Sequence, residues 1–416
     1  MRKRLAALIA VVLVTAGLGL AVVAGIVLDR VVLSSVALPQ ATPAAAPEFA
    51  LMAEAWDVIN RVYVDREALQ PITLTYGALS GMVDALGDTG HSRFLTPQML
   101  KQEQEYTLGQ YEGVGLQVQM TDGQVVIVAP LDGSPALKAG LHSGEVILKV
   151  DGEDVSGLTL GQVIGRILGP AGSKVTLSIL DPATSVTRDV TLTRQRINLQ
   201  NVTWAQVPGT SVAHLRLAAF SQGVTKDLQK ALSEIQKQRL SGLILDLRND
   251  PGGLLDEAVG AASQFLTGGN VVQVKDAIGE ITSIGVQRGG VAPSIAMIVL
   301  INGGTASASE IVAGALQDAG RATLVGETTI GTGTVLQQFG LSDGSALLLA
   351  IQEWLTPKGK AIWHKGLAPD VVVTLDAGSS MLLPSEEKSM TVAQLQASTD
   401  TQLLRALELL GTTASR

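Results

Sequence analysis

The sequence predicts an α/β protein: a main body built on a mixed sheet with crossover helices, a smaller β-rich domain set into it, a helical segment before both, and one apolar helix at the start. Three features carry this reading. Beyond Asn198, apolar strands alternate with helix-length segments: Gly242 to Leu247 is followed by Leu254 to Leu266, Ile295 to Ile301 by Ser307 to Gln317, and then Ala322 to Val325. Such alternation builds sheets with parallel neighbours, and the uninterrupted apolar runs suit strands covered on both faces. Between Tyr106 and Arg196 the pattern shortens into β-rich runs divided by glycine-containing turns. Finally, Leu5 to Leu28 is a run of 24 residues without a charge.

With 416 residues there is room for two or three domains and a large core. Thirty basic against 38 acidic side chains give a net charge of −8, which argues against a nucleic-acid partner, since that calls for a basic surface. The absence of cysteine excludes disulfides, thiolate nucleophiles and cysteine metal sites, and leaves the redox compartment open. The four histidines (His91, His142, His214 and His364) include no His-Glu-x-x-His run, so a zinc hydrolase does not fit and neither metal nor cofactor is expected.

Arg2, Lys3 and Arg4 precede the apolar run, which as a helix would reach roughly 36 Å, enough to cross a bilayer with some tilt. The basic cluster stays on the cytoplasmic side and places the chain after Asp29 outside. The expectation is therefore a single-pass protein of the cell membrane, held through residues 5–28. The competing reading is a cleaved signal peptide, whose apolar core is shorter, typically about 7–15 residues. Residues 31–47, rich in Ala and Pro, read as a linker, and 48–105 as a helical region. Within it, Phe49, Met52, Trp56 and Ile59 recur at helical spacing, and Leu74 to Leu86 forms a second such stretch before Gly87-Asp88-Thr89-Gly90-His91 breaks the pattern.

In the β-rich region, residues 106–196, Gln124 to Val128 reads as a strand. Ser134-Pro135-Ala136 opens a short helix that Gly140 closes. Glu145 to Val150 turns back at Asp151-Gly152, a hairpin signal. Leu160, Val163, Ile164 and Ile167 share one helix face, and Val175, Leu177 and Ile179 alternate as a half-buried strand. This order, with Gly113-Val114-Gly115-Leu116, Ser134 to Leu141 and Gly144 to Ile147, resembles a PDZ domain. The resemblance implies capture of extended C-terminal peptides, with the terminal carboxylate held on the loop of Gly113, Val114, Gly115 and Leu116.

The stretch Ile301 to Glu310 (Ile-Asn-Gly-Gly-Thr-Ala-Ser-Ala-Ser-Glu) runs from an apolar strand through two glycines into a helix. Open α/β sheets build their sites at such strand ends, and helix-start N–H groups stabilise a developing oxyanion. Taken alone, Ser307 to Glu310 is also a Ser-x-x-Glu capping box. The wider stretch resembles the nucleophile motif of the C-terminal processing peptidases, the tail-specific serine proteases of family S41 with an inserted PDZ domain. Asp246-Leu247-Arg248-Asn249-Asp250-Pro251-Gly252-Gly253 is similar to that family's Asp-Leu-Arg-Asn-x-Pro-Gly-Gly strand end. Thr356 to Gly359 with Gly366 to Asp370 resembles its closing segment, and Leu86 to Ser92 its Asp-Pro-His-Ser turn with one extra residue. The similarity runs from about residue 50 to 375. It implies that Ser307 is the nucleophile, with Ala308 and a glycine of Gly252-Gly253 forming the oxyanion hole.

The family's base is a lysine in Gly-Lys-Gly-x-Val-Gln, 25 residues after the serine; here that position is Thr332, in Gly331-Thr332-Gly333-Thr334-Val335-Leu336-Gln337. A threonine hydroxyl is no base near neutral pH. The family's assisting glutamine is also displaced by one residue, to Gln337 from the place of Leu336, which in a strand turns it to the other face. Gly326 to Thr332 lacks the lysine of a phosphate loop. His91 becomes the first candidate base, since an imidazole needs little tuning near pH 7 and tricorn-type proteases resemble this arrangement. His364 and Lys365, near the expected site, follow; His142 and His214 read as structural. The expected organisation is an anchor at 1–30, a linker at 31–47, helices at 48–105, a PDZ domain at 106–196, a peptidase core at 197–380 and a C-terminal helix at 381–416. The expected activity is endopeptidase cleavage of proteins with free C-terminal tails; the competing reading is an inactive tail-binding scaffold. The oligomeric state stays open.

Overall fold

The computed structural model describes residues 47–88, 92–108, 110–121, 123–131, 133–142, 144–158, 160–198, 200–376, 379 and 381–411. The apolar run 5–28, the linker up to residue 46 and the candidate base His91 lie outside these residues. No helix among the described residues is long and apolar enough to cross a membrane. The chain divides into two bodies, residues 1–71 and 72–416. In the first, helix α1 (Pro47–Val62) carries Phe49, Met52, Trp56 and Ile59 at three- and four-residue spacing. Its last turn is closed by the Arg66 guanidinium, which donates to the Asn60 and Arg61 carbonyls.

Helix α2 (Pro71–Asp84) starts at the division, and β1 (Arg93–Leu95) and α3 (Pro97–Thr107) follow in the second body. The region expected to be helical therefore contains a strand. Phe94 and Leu95 are buried there, and Pro97, tolerated at a helix start, begins α3 directly afterwards.

The β-rich domain follows: β2 (Gln110–Gly113), β3 (Leu116–Thr121), β4 (Gln124–Pro130), α4 (Pro135–Lys138), β5 (Val146–Val150), β6 (Glu153–Asp154) and α5 (Leu160–Ile167). It ends with β7 (Lys174–Asp181), β8 (Val186–Thr193) and β9 (Gln195–Asn198). Its sheet runs β3-β4-β5-β7-β8, and the separate antiparallel ribbon of β2 and β9 carries the chain in and out. Ser134 caps α4 by accepting the Leu137 N–H at 3.0 Å. Asp151 and Gly152 turn β5 into β6 with φ of 51° and 84°, the signs a tight hairpin turn requires. Val114, Ile127, Leu141, Val163, Leu177 and Ile179 form the fully buried core of this domain.

The main body begins with β10 (Val202–Gln206), β11 (Val212–Leu217), α6 (Val224–Lys237), β12 (Gly242–Asp246) and α7 (Leu255–Ser263). It continues through β13 (Asn270–Asp276), β14 (Ile281–Gly285), β15 (Ala296–Ile301), α8 (Ala308–Asp318) and β16 (Thr323–Gly326). Then come β17 (Thr334–Gly340), β18 (Ala346–Leu355) and β19 (Val371–Val372). One sheet runs β10-β11-β12-β15-β16-β19, parallel except at the β10 edge. The other joins β1, β18, β13 and β14, with β17 on the free side of β18.

Side chains alternate across the parallel sheet as the two-residue period demands. Leu215, Leu245, Val299 and Leu324 meet α6, α7 and α8 on one face. Val212, Ile244, Ile298 and Val325 meet the C-terminal segment on the other. That segment, expected as one helix at 381–416, forms α9 (Pro384–Glu387), α10 (Val392–Gln396) and α11 (Thr401–Leu409) among the described residues. The break has a local cause: Asp400 caps α11, its Oδ1 accepting the Leu403 N–H at 3.0 Å. Leu403 and Leu407 of α11 are buried on the chain's own sheet.

Candidate active site

Three loops meet at the carboxyl ends of β12, β15 and β16, where open parallel sheets place their sites. Residues 302–307 carry the chain from β15 into α8. Asn302 Oδ1 accepts the N–H groups of Gly304 (3.0 Å) and Asn249 (2.8 Å), and its Nδ2 donates to Asn249 Oδ1 at 2.8 Å. Thr305 Oγ1 donates to the Leu247 carbonyl at 2.8 Å, and the Asp250 carbonyl accepts from Ala306 N–H and Ser309 Oγ. The 302–307 loop and the 247–253 loop are thus bonded into one unit.

Ser307 sits at its apex with φ 56° and ψ −121°. A side chain at such φ is strained by ~1–3 kcal/mol, which persists only where the surroundings impose it. The ordinary capping serine takes extended backbone angles; here the hydroxyl makes no cap bond to the helix. Among the described residues Ser307 Oγ has no hydrogen-bond partner, and the residue is half-buried.

Two backbone donors lie beside it. Gly252 approaches so closely that a Cβ there would lie 2.6 Å from Ser307 Cβ and 2.7 Å from the Ala308 nitrogen. The Gly252 N–H is already donated to Asp250 Oδ1 at 2.8 Å. Among the described residues, the N–H groups of Gly253 and of Ala308, the first residue of α8, have no acceptor.

The third loop, 326–333, passes behind the serine. Glu310 is fully buried, and its carboxylate collects five hydrogen bonds. Thr329 Oγ1 (2.5 Å) and Gly331 N–H (2.7 Å) bond one oxygen. Ser307 N–H (2.8 Å), Thr332 N–H (3.0 Å) and Thr332 Oγ1 (2.7 Å) bond the other. Burial pushes this carboxyl upward, opposed by the hydrogen bonds from Thr329, Thr332, Gly331 and Ser307.

The peptidase family S41 model matches residues 211–373, and a PDZ domain model matches residues 126–181. The carboxyl-terminal-processing protease of Synechocystis sp. is 37% identical over 382 residues, spanning 86% of either chain. The carboxy-terminal processing protease CtpA of Bacillus subtilis is 35% identical over 305 residues, covering 73% of this chain and 64% of that one. Among solved structures, the photosystem II D1 C-terminal processing protease matches with a TM-score of 0.66 and 33% identity, over 79% of this chain and 94% of that one. The chain belongs to peptidase family S41. It is a C-terminal processing peptidase, a serine-type hydrolase with a PDZ domain.

In this S41 peptidase the expected site residues are distributed unevenly. Ser307, Ala308, Gly252 and Gly253 come together, and Thr332 lies against the Ser307 backbone. Between Val335 and Leu336 the β17–β18 pairing is bulged; Leu336 is exposed and Gln337 half-buried. His364 and Lys365 lie in an exposed turn held to the 331–333 loop by the His364 N–H on the Gly331 carbonyl at 2.9 Å. The His364 ring stacks on Trp363. On either side of residues 89–91 the chain is fixed: Asp88 Oδ2 accepts the Ser92 N–H, and Ser92 Oγ accepts the Ala350 N–H of β18, both at 2.9 Å. Gly113 to Leu116 connect β2 to β3 at the edge of the PDZ sheet, where Leu116 begins β3.

His214 is in fact central to a second feature that its strand position did not announce. Fully buried on β11, it bonds Glu387 Oε1 through Nδ1 at 2.7 Å and Asp246 Oδ2 through Nε2 at 3.1 Å. Arg248 bonds Asp246 (2.7 Å) and Asp400 (2.8 Å), and Arg216 donates to the Arg248 carbonyl at 2.6 Å. Burial opposes charge on His214, but the Glu387 carboxylate and then Asp246 outweigh it and push the imidazole up to about 9. Arg248 likewise holds Asp246 well below the usual carboxylate range, against its burial. Glu387 and Asp400 had no motif to mark them.

Proposed function

We propose that this chain is a membrane-anchored serine endopeptidase that cleaves protein substrates near their C-termini outside the cytoplasm. The carrying observation is Ser307: a nucleophile held at φ 56° with a hydroxyl bonded to none of the described residues, beside the unbonded N–H groups of Gly253 and Ala308. Ser307 Oγ attacks the scissile carbonyl, and those two N–H groups receive the oxyanion. The base takes the Ser307 hydroxyl proton and gives it to the leaving amine, and water then hydrolyses the acyl-enzyme. Gly253 is the better partner to Ala308 because the Gly252 N–H is taken by Asp250.

For the base we propose His91. The other histidines are less suited: both ring nitrogens of His214 are engaged, His142 belongs to the PDZ domain, and the His364 ring is exposed and stacked on Trp363. The PDZ loop from Gly113 to Leu116 would hold the substrate's terminal carboxylate, and residues 5–28 would anchor the chain with its bulk outside. The relatives named for carboxyl-terminal processing support this substrate class. A second reading, a tail-holding scaffold without turnover, draws on Thr332 at the position of the family's base lysine.

Cleavage of an unstructured protein by the full chain separates the two. Ser307→Ala and His91→Ala are expected to lose turnover about 10³-fold or more, as loss of a nucleophile or base does elsewhere, while His364→Ala stays near wild type. Equal background from wild type and Ser307→Ala would leave only the scaffold; loss with His364→Ala instead of His91→Ala would move the base to His364.

A further inference from the structure

Thr332 occupies the position where a base was expected, and its hydroxyl is engaged on both sides. It accepts the Ser307 N–H at 2.6 Å and donates to Glu310 Oε2 at 2.7 Å. The same Ser307 N–H also reaches Glu310 Oε2 at 2.8 Å. These three contacts close a ring around the backbone nitrogen of the residue with the least relaxed conformation in the site. Glu310 cannot drift, because Thr329 Oγ1 and Gly331 N–H grip its other oxygen. Thr329 in turn accepts the Leu367 N–H at 2.8 Å, so the ring is braced against the closing segment of the core.

We propose that Thr332 and Glu310 are positioning residues for the peptidase reaction, together clamping the Ser307 backbone so that Oγ faces the substrate. This rests on Ser307 being the nucleophile. A helix-start N–H would otherwise be free to turn toward an anionic substrate group. Here the Ser307 N–H is drawn to the protein side and held there, and the oxyanion is left to Gly253 and Ala308. The clamp also gives position 332 a role that does not require proton abstraction. A hydroxyl is the group that fits: it is small, accepts from an N–H and donates to a carboxylate at once. Valine has the same shape with neither capacity.

The test compares wild type, Thr332→Ser and Thr332→Val in the full chain. Two rates are measured: acylation of Ser307 by a fluorophosphonate probe, and kcat and KM on a tailed protein substrate. Rates are normalised to the folded fraction from near-UV circular dichroism, so a destabilised variant still reports. Thr332→Val is expected to lower acylation and kcat about 10²-fold, the scale of an ångström-sized misplacement, with KM unchanged. Thr332→Ser is expected to restore most of both rates. Acylation of the valine variant at the wild-type rate, or a serine variant as slow as the valine one, overturns the clamp alone. A wild-type chain that neither acylates nor cleaves overturns the peptidase reading and the clamp with it.

Discussion

Gly252 has no side chain, and Ser307 uses the space that one would fill. A Cβ at residue 252 would meet Ser307 Cβ at 2.6 Å, Ala308 N at 2.7 Å and the Ala306 carbonyl at 2.8 Å. None of these is the swinging end of a flexible chain, and the glycine's own φ of 93° disfavours any L side chain. Gly252→Ala is therefore expected to move the 302–307 loop, cutting kcat/KM about 10²-fold while costing roughly 1–3 kcal/mol of stability. Steady-state cleavage and urea unfolding of the same preparation check this, and wild-type turnover in the alanine variant would contradict it. The serine and its glycines were legible as residues because the strand–Gly-Gly–helix pattern is local. The role of Glu310 was only half legible. Ser-x-x-Glu announces a capping box, and the Glu310 half of it stands, accepting the Ser307 N–H. The serine half does not, because a residue at φ 56° no longer presents its hydroxyl as a cap.

Among the elements, the parallel strands were read correctly because burial on both faces writes an unbroken apolar run. The C-terminal segment was read less well: it forms three short helices where one was expected, and a cap at Asp400 starts the last of them. What holds that segment was not legible at all. His214, Arg216, Asp246 and Arg248 lie on or just after two strands, while Glu387 and Asp400 come more than a hundred residues later, and sequence separation carries no distance. Together these six groups tie α9 and α11 to the strand end that feeds the 247–253 loop. Their pH response has a definite sign. His214 is raised from 6.5 to about 9, so its contribution to stability is complete below about 6.5 and is lost as pH rises through about 9. A shift of that size corresponds to about 3 kcal/mol. Urea unfolding of the full chain at pH 6.5 and pH 10 is expected to show the loss, and His214→Gln, already weaker at pH 6.5, is expected to lack that step. Identical pH slopes for the two proteins would count against the pairing.

At the scale of the whole second body, the β2–β9 ribbon carries the chain into and out of the PDZ domain, which faces the β1–α3 segment across a cavity of about 140 Å³. Leu116, Val118, Ile164 and Leu168 line the PDZ side of this cavity, and Leu95 and Met99 of the segment leading into the domain line the other. Arg93, Gln102 and Glu103 also line it, with Arg93 paired to Glu103 at 3.4 Å. Tail capture by the PDZ loop, as proposed, makes binding and hydrolysis two events on one substrate. Holding the tail raises the local concentration of the scissile segment near Ser307, an effect worth as much as the millimolar range for short linkers. That gain belongs to binding and leaves the acylation step alone, so it changes KM and spares kcat. A protein substrate whose C-terminal carboxylate is converted to an amide is therefore expected to show a KM raised about tenfold, the loss of one charge-assisted contact, with kcat unchanged. A short peptide spanning only the cleaved bond, with no tail to hold, is expected to be indifferent to the same change. Equal KM values for the acid and amide forms of the long substrate would mean that the loop from Gly113 to Leu116 does not read the carboxylate and that delivery to Ser307 is by direct encounter.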